Sequence, residues 1–284
     1  MLLPGLIFVF IFSIVPMFGL VIAFQRFIPT KGVWGSQWVG LENFQYLFEI
    51  PDGRQVLVNT VIIAVLKIVA NTVVPLMFAL LLNEVRIHWF KRAVQTIIYL
   101  PHFLSWVILG GIVSTMLSLD GIVNTAIQLF GGDPVLFLAD NRWFRPILVV
   151  SDAWKEFGFG TIVYLAALTA INPNLYEAAM IDRANRLQQL VYITLPSISP
   201  TIILLVTLSL GNVLNAGFDQ VFNLYNPLVY ETADIIDTYV YRIGIENAQY
   251  GLATAVGLMK SVVSFGLIIL SYRLASRYAG YRIF

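Results

Sequence analysis

The chain has 284 residues, 58% hydrophobic and only 12% charged, with a formal net charge of +1 and no cysteine. Soluble domains carry about 45–50% apolar and about 25% charged residues, so this composition belongs to an integral membrane protein. It offers no broad basic field for nucleic acid. The missing cysteines exclude disulfides, thiolate metal sites and cysteine nucleophiles, and His88 and His102 cannot build a zinc site alone.

Six stretches are long enough to cross a hydrocarbon core of about 30 Å, for which about 20 helical residues suffice. They are 2–24, 56–83, 94–117, 144–170, 199–217 and 249–272. The first run is too long for a signal-peptide core and has no small-residue cleavage site after it, so it reads as a retained span. Pro16, Pro75 and Pro101 fall inside spans, where neighbouring helices can satisfy the freed carbonyls, and read as packing kinks ahead of gating hinges. Lys67 and Lys260, isolated in the second and sixth spans, read as snorkelling or structural. The fourth span carries "VVSDAWKEFGFG", in which Asp152 and Lys155 can pair at i,i+3. Ionisable groups inside a span are functional candidates by default, the alternative here being an ion pair lining a wet vestibule. Trp154 and Tyr164 can stack on a ligand ring or fill a core. The fifth span holds "SLGNVLNAG", with Asn212 and Asn215 three apart and hence on one helical face. Such amides either bond a polar ligand or join helices.

Between the spans lie polar connections such as "GGDP" at 131–134 and "INPN" at 171–174. Arg86, Lys91 and Arg92 crowd the second connection, Arg183 and Arg186 the fourth, and Arg273, Arg277 and Arg282 the tail. The positive-inside rule therefore puts both termini and the fourth connection in the cytosol.

That fourth connection contains "YEAAMIDRANRLQQLVYITLP". Asn172-Pro173 reads as an N-cap followed by proline at the first helical position. Leu175, Ala178, Ala179 and Asp182 recur at helical spacing, with small alanines that permit close approach of another backbone. A second amphipathic segment, Leu187, Leu190, Val191 and Thr194, is expected to end at Pro196. On the residues alone this pair of segments either lies at the headgroup level or docks on a cytosolic partner.

The stretch closely resembles the EAA loop of the permease subunits of binding-protein-dependent ABC importers, with Glu177, Ala178, Ala179, Asp182 and Ala184 on the motif positions. That family usually has glycine where this chain has Arg183. Glycine would permit a positive φ between two short helices, so either the bend is made differently or Arg183 carries strain. "WVGLENFQYLF" at 38–48 and "GFGTIVYLAALTAINPNLYEAA" at 158–179 resemble carbohydrate-importer permeases of the maltose-transporter type, and the ending "YRIF" resembles the subgroup importing polysaccharide fragments. The resemblance implies a single all-α permease domain with six transmembrane helices and a cytosolic coupling helix, in loop 171–198, between the fourth and fifth. It further implies a bacterial cytoplasmic membrane, a second homologous permease, two ATPase subunits, an extracytoplasmic solute-binding protein and a sugar substrate. ATP and magnesium would bind in the ATPases, leaving no cofactor in this chain. Asn212 and Asn215 fall where such permeases contact the sugar, and Glu156 and Phe159 align with positions lining the same cavity.

Two rival classes fare worse. No G-x-x-x-x-G-K-[ST], H-E-x-x-H or G-x-S-x-G motif occurs, which removes a P-loop ATPase and argues against an intramembrane hydrolase. A stand-alone secondary transporter, the alternative reading, normally shows two repeated halves around discontinuous helices. No such repeat is visible here.

Overall fold

The computed structural model of the protein describes residues 2–211 and 213–278. Helix α1 (Leu3–Phe24) is continuous but relaxes into 3-10 geometry from Val15 onward, next to Pro16. It leads into a short ribbon, β1 (Gln25–Arg26) antiparallel to β2 (Gln37–Trp38), with Gln25 opposite Trp38. Asn43, on α2 (Glu42–Glu49), donates its amide to the carbonyls of Ala23 (2.8 Å) and Gln25 (3.1 Å). Two acceptors left over at the end of α1 are thereby satisfied.

Helix α3 (Pro51–Glu84) starts with Pro at its first position and carries Pro75 in its interior. It packs most extensively on α7 (Asn141–Thr169). Between them in sequence come α4 (His88–Tyr99), α5 (Trp106–Met116) and α6 (Ile122–Leu129). Glycine makes the packing on α7 possible: a Cβ on Gly158 would lie 2.0 Å from the Ile98 carbonyl oxygen. Small residues at such crossings let backbones touch. The chain continues through α8 (Pro173–Ile181), α9 (Arg186–Gly211), α10 (Phe218–Leu224), α11 (Tyr230–Ala233), α12 (Ile236–Tyr241) and α13 (Tyr250–Tyr278).

Among the described residues, four helices, α1, α3, α9 and α13, are long and apolar enough to cross a membrane. Helix α7 has the length but not the apolarity, because Arg145, Asp152, Lys155 and Glu156 interrupt it. The expected third span, 94–117, is not one helix: α4 and α5 meet at 104°. Pro101 lies in that break rather than in a packing kink, Leu104 is extended, and Ser105 caps α5. Lys155 holds the break by donating to the carbonyls of His102 (2.6 Å) and Leu104 (3.0 Å), which a straight helix would have satisfied internally.

The fifth span also departs from expectation. Pro196 does not end the amphipathic segment, because a π-helical turn over Leu190–Thr194 precedes it and α9 runs through to Gly211. The wider turn makes room for the proline ring and its missing donor. Residues 213–217 are non-helical, and Gly217 takes φ +94°.

Most of the buried apolar residues among those described gather in two clusters. One gathers Ile63, Phe144, Leu148, Val221 and Ile236. The other gathers Ala79, Ile98, Phe157, Tyr164 and Ile198. Along α3 and α7 the polar residues Lys67, Asn71, Asp152 and Lys155 fall between them. The bundle therefore has a polar layer enclosed by two greasy ones.

Candidate functional site

Two regions carry the chemistry, an exposed helical hairpin at 173–189 and the polar layer. In the hairpin, the Asn172 side chain caps α8 by accepting from the Asn174 N–H at 3.0 Å, as its position before Pro173 predicts. The helix ends in a reverse turn in which the Ala184 N–H reaches the Ala179 carbonyl (2.9 Å) and the Arg183 N–H reaches that of Met180 (3.1 Å). This is the Schellman arrangement, whose central residue is left-handed and is most often glycine. Here it is Arg183, at φ 58°. The turn is thus made at the expected position, and Arg183 bears the strain. Sequence reading missed the start of the next helix, although its signal is plain: Asn185 and Gln188 form a reciprocal capping box, at 2.9 and 2.8 Å.

Glu177, Ala178, Asp182 and Arg183 are exposed, while Ala179 and Ala184 are half-buried. Met180, Ile181 and Leu187 are also open, Ile181 at 83% and Leu187 at 68%. No residue of α8 is buried by the rest of the described chain. The hairpin is tied to the body by Tyr176 and Thr194 (2.9 Å) and by an Arg186–Glu84 ion pair (3.1 Å).

In the polar layer the expected i,i+3 pair of Asp152 and Lys155 is not formed. Asp152 instead faces Lys67 across the α3–α7 contact at 3.3 Å and accepts from the Asn71 amide at 2.8 Å. Neither Lys67 nor Lys260 is isolated. Lys67 is buried and donates to the Ala216 carbonyl (2.7 Å) and to Gln220, which itself donates to Leu148 and Ser151. Lys260 pairs with Asp237 of α12. Burying a charge without such partners costs several kcal/mol, and these contacts supply them.

Glu156 and Phe159 converge on one residue not foreseen as functional, His102. The Glu156 carboxylate lies 2.8 Å from the His102 Nδ1, and the Phe159 ring stacks on the imidazole at 4.5 Å between centroids. Only folding back of the broken third span brings His102 there, so no local signal could have found it. Tyr164 is a buried core residue, whereas Trp154 is 40% exposed.

Asn212 lies outside the described residues, as does the "YRIF" ending at 281–284. Asn215 is described, and it is not on a helical face: it sits in the non-helical segment 213–217, exposed, between two cavities. One, of about 360 Å³, is lined by Lys67, Asn71, Asp152 and Ser209 as well as Asn215. The other, of about 430 Å³, is lined by Asn215, Phe218, Asp237, Lys260 and Ser264. Irregular backbone at membrane depth is tolerated where it lines such a cavity.

The connection between α9 and α13 packs on the body through a further buried set. Asn59 donates to the carbonyls of Glu231 and Asp234, and Arg145 bonds Asn59 and Thr232. Burial pushes the Asp234 carboxyl above the usual carboxylate range, against the opposing effect of hydrogen bonds from Thr238 and Arg242.

Long apolar helices enclosing a charged layer, with a helical hairpin presented on the surface, define a multi-pass transport permease. The chain belongs to the family described as the binding-protein-dependent transport system inner membrane component, whose profile matches residues 71–280. It is 46% identical to the polygalacturonan/rhamnogalacturonan transport system permease protein YteP of Bacillus subtilis (strain 168), over 98% of this chain and 87% of that one. Protein LplB of the same organism is 44% identical, over 98% and 88%. Among solved structures, a bacterial ABC transporter involved in the import of the acidic polysaccharide alginate has a chain 42% identical to this one. It superposes with a TM-score of 0.90, covering 98% of this chain and 94% of that one.

Proposed function

We propose that the protein is the permease subunit of an ATP-driven importer of saccharides, oligosaccharides or fragments of acidic polysaccharides, in a bacterial cytoplasmic membrane. Its likeness along nearly the whole chain to permeases named for polygalacturonan/rhamnogalacturonan and to an alginate importer supports the substrate class. Counting α7 and the bent α4–α5 pair as one span each gives six, an even number that together with the positive-inside rule supports both termini lying in the cytosol. A second, related permease completes the pathway, two ATPase subunits bind ATP and magnesium, and a solute-binding protein delivers the sugar from outside.

The observation that carries the coupling role is the uncovered hairpin. Glu177 to Ala184 form a turn of defined geometry, and the apolar residues Met180 and Ile181 in it and Leu187 just after it are left exposed by the described chain. A groove on a cytosolic ATPase covers them, and the exposed Glu177 and Asp182 supply charge at its edge. Closure of the two ATPases on ATP moves the hairpins and switches the cavity between its two sides. Asn212, Asn215, Glu156 and Phe159 line the substrate path.

The test is substrate-stimulated ATP hydrolysis by the reconstituted complex. Glu177→Ala, or replacement of Ala179 by Trp, is expected to abolish the stimulation while the protein still inserts. Full stimulation in both variants would remove the hairpin from the coupling path. The rival reading, headgroup binding without a docked partner, is excluded if this chain co-purifies with an ATPase and loses it on Ala179→Trp.

A further inference from the structure

Two lysines in the bundle interior differ in what they have left to offer. The three N–H donors of Lys67 are all taken, by the Ala216 carbonyl, Gln220 and Asp152. It fixes the non-helical segment that carries Asn215. Lys260, in the interior of α13, has one partner among the described residues, Asp237. Two of its donors meet no described residue, and its side chain is 20% exposed. They open into the cavity of about 430 Å³ that Asn215, Phe218 and Ser264 also line.

We infer that this cavity is a subsite for a carboxylate-bearing sugar, with Lys260 as the residue that selects the charge. The assignment rests on the acidic-saccharide form of the import reading and adds to it the residue that meets the uronate carboxylate. A positive charge within a span is costly and is retained where it faces a cavity and meets an anion. Asp237 alone does not fill the ammonium, and a ligand carboxylate adds a charge-assisted hydrogen bond to a free donor. The exposed Asn215 amide can both donate to and accept from ring hydroxyls. Phe218, half-buried beside it, presents an apolar surface to the C–H face of a pyranose. Asp237 then opposes the ligand, because two carboxylates share one ammonium.

A structural ion pair and a ligand anchor give opposite results when each partner is neutralised in turn. The measurement is the concentration of trigalacturonate-loaded binding protein that half-maximally stimulates ATP hydrolysis by the complete reconstituted complex. Lys260→Gln is expected to raise it about tenfold or more, the loss of one charge-assisted bond. Lys260→Arg stays within about threefold of wild type on the same scale. Asp237→Asn, which removes the competing charge, lowers it. If both neutral variants raise it alike, the pair is structural and the subsite is wrong. Should Lys260→Gln fail to assemble, Asp237→Asn decides alone, because only an anchor role predicts tighter response. Stimulation of the wild-type complex by neutral maltotriose but not by trigalacturonate sinks the uronate assignment and leaves sugar import standing. Stimulation by neither sinks both.

Discussion

At Arg183 the chain accepts a left-handed backbone that an L side chain adopts at a cost of roughly 1–2 kcal/mol. Nothing in the described chain binds its guanidinium, so the protein itself offers no offset. Arg183→Gly is therefore expected to raise the melting temperature of the purified subunit, while Arg183→Val lowers it, since a β-branched residue tolerates positive φ least. A thermal shift measurement in detergent checks both. If Arg183→Gly instead destroys assembly with the ATPase, the guanidinium makes a contact of its own there. Lys67 illustrates the opposite economy, a costly buried charge whose every donor is used to hold residues 216–220 against α3 and α7.

At the scale of elements, the break between α4 and α5 depends on a side chain from a third helix. Lys155 meets the His102 and Leu104 carbonyls, and it lies 3.7 Å from Glu156, which in turn holds His102. Lys155→Met leaves two partly buried carbonyls without this donor, at up to about 1–3 kcal/mol each. The expected outcome is a drop in yield and in the melting temperature of the subunit, partly restored by Lys155→Arg. Unchanged stability of Lys155→Met would mean that Pro101 and Ser105 set the bend unaided. The hairpin α8–α9 is built differently. Its caps, Asn172 and Asn185, and its turn at Arg183 are local, so they form without help from the bundle.

For the whole molecule, the arrangement that matters is a polar layer between two apolar clusters, opened by the end of α9 at Gly211. Asn215 stands where the two polar cavities meet. Replacing both Asn212 and Asn215 by Leu is expected to cut uptake per assembled transporter about tenfold, since each lost hydrogen bond is worth about 0.5–1.5 kcal/mol. Uptake assays in proteoliposomes, normalised to assembled complex, check this. A fall in complex yield with normal uptake per transporter would make these asparagines structural and leave Glu156 and Phe159 as the substrate contacts.

Composition and hydrophobic runs alone identify a helical membrane protein, the Asn172-Pro173 start and the alanine face after it locate the hairpin, and the resemblance of Glu177, Ala178, Ala179, Asp182 and Ala184 to the EAA loop adds the permease reading. The first two suffice because both depend on local physics: the length needed to cross lipid, the proline and asparagine caps, and the residues of one turn. The sequence even exposes the strained position, by placing Arg where glycine suits the backbone. What it does not contain is any pairing across helices. Asp152 is three residues from Lys155 yet pairs with Lys67, 85 positions away in the chain. Lys155 is free to mend a broken span, and His102 joins Glu156 and Phe159 only because that span bends by 104°. Buried charges take whichever partner the packing delivers, and a helix gives way wherever a neighbour can satisfy its carbonyls. Both choices are made by tertiary contacts between α3, α4, α7 and α9.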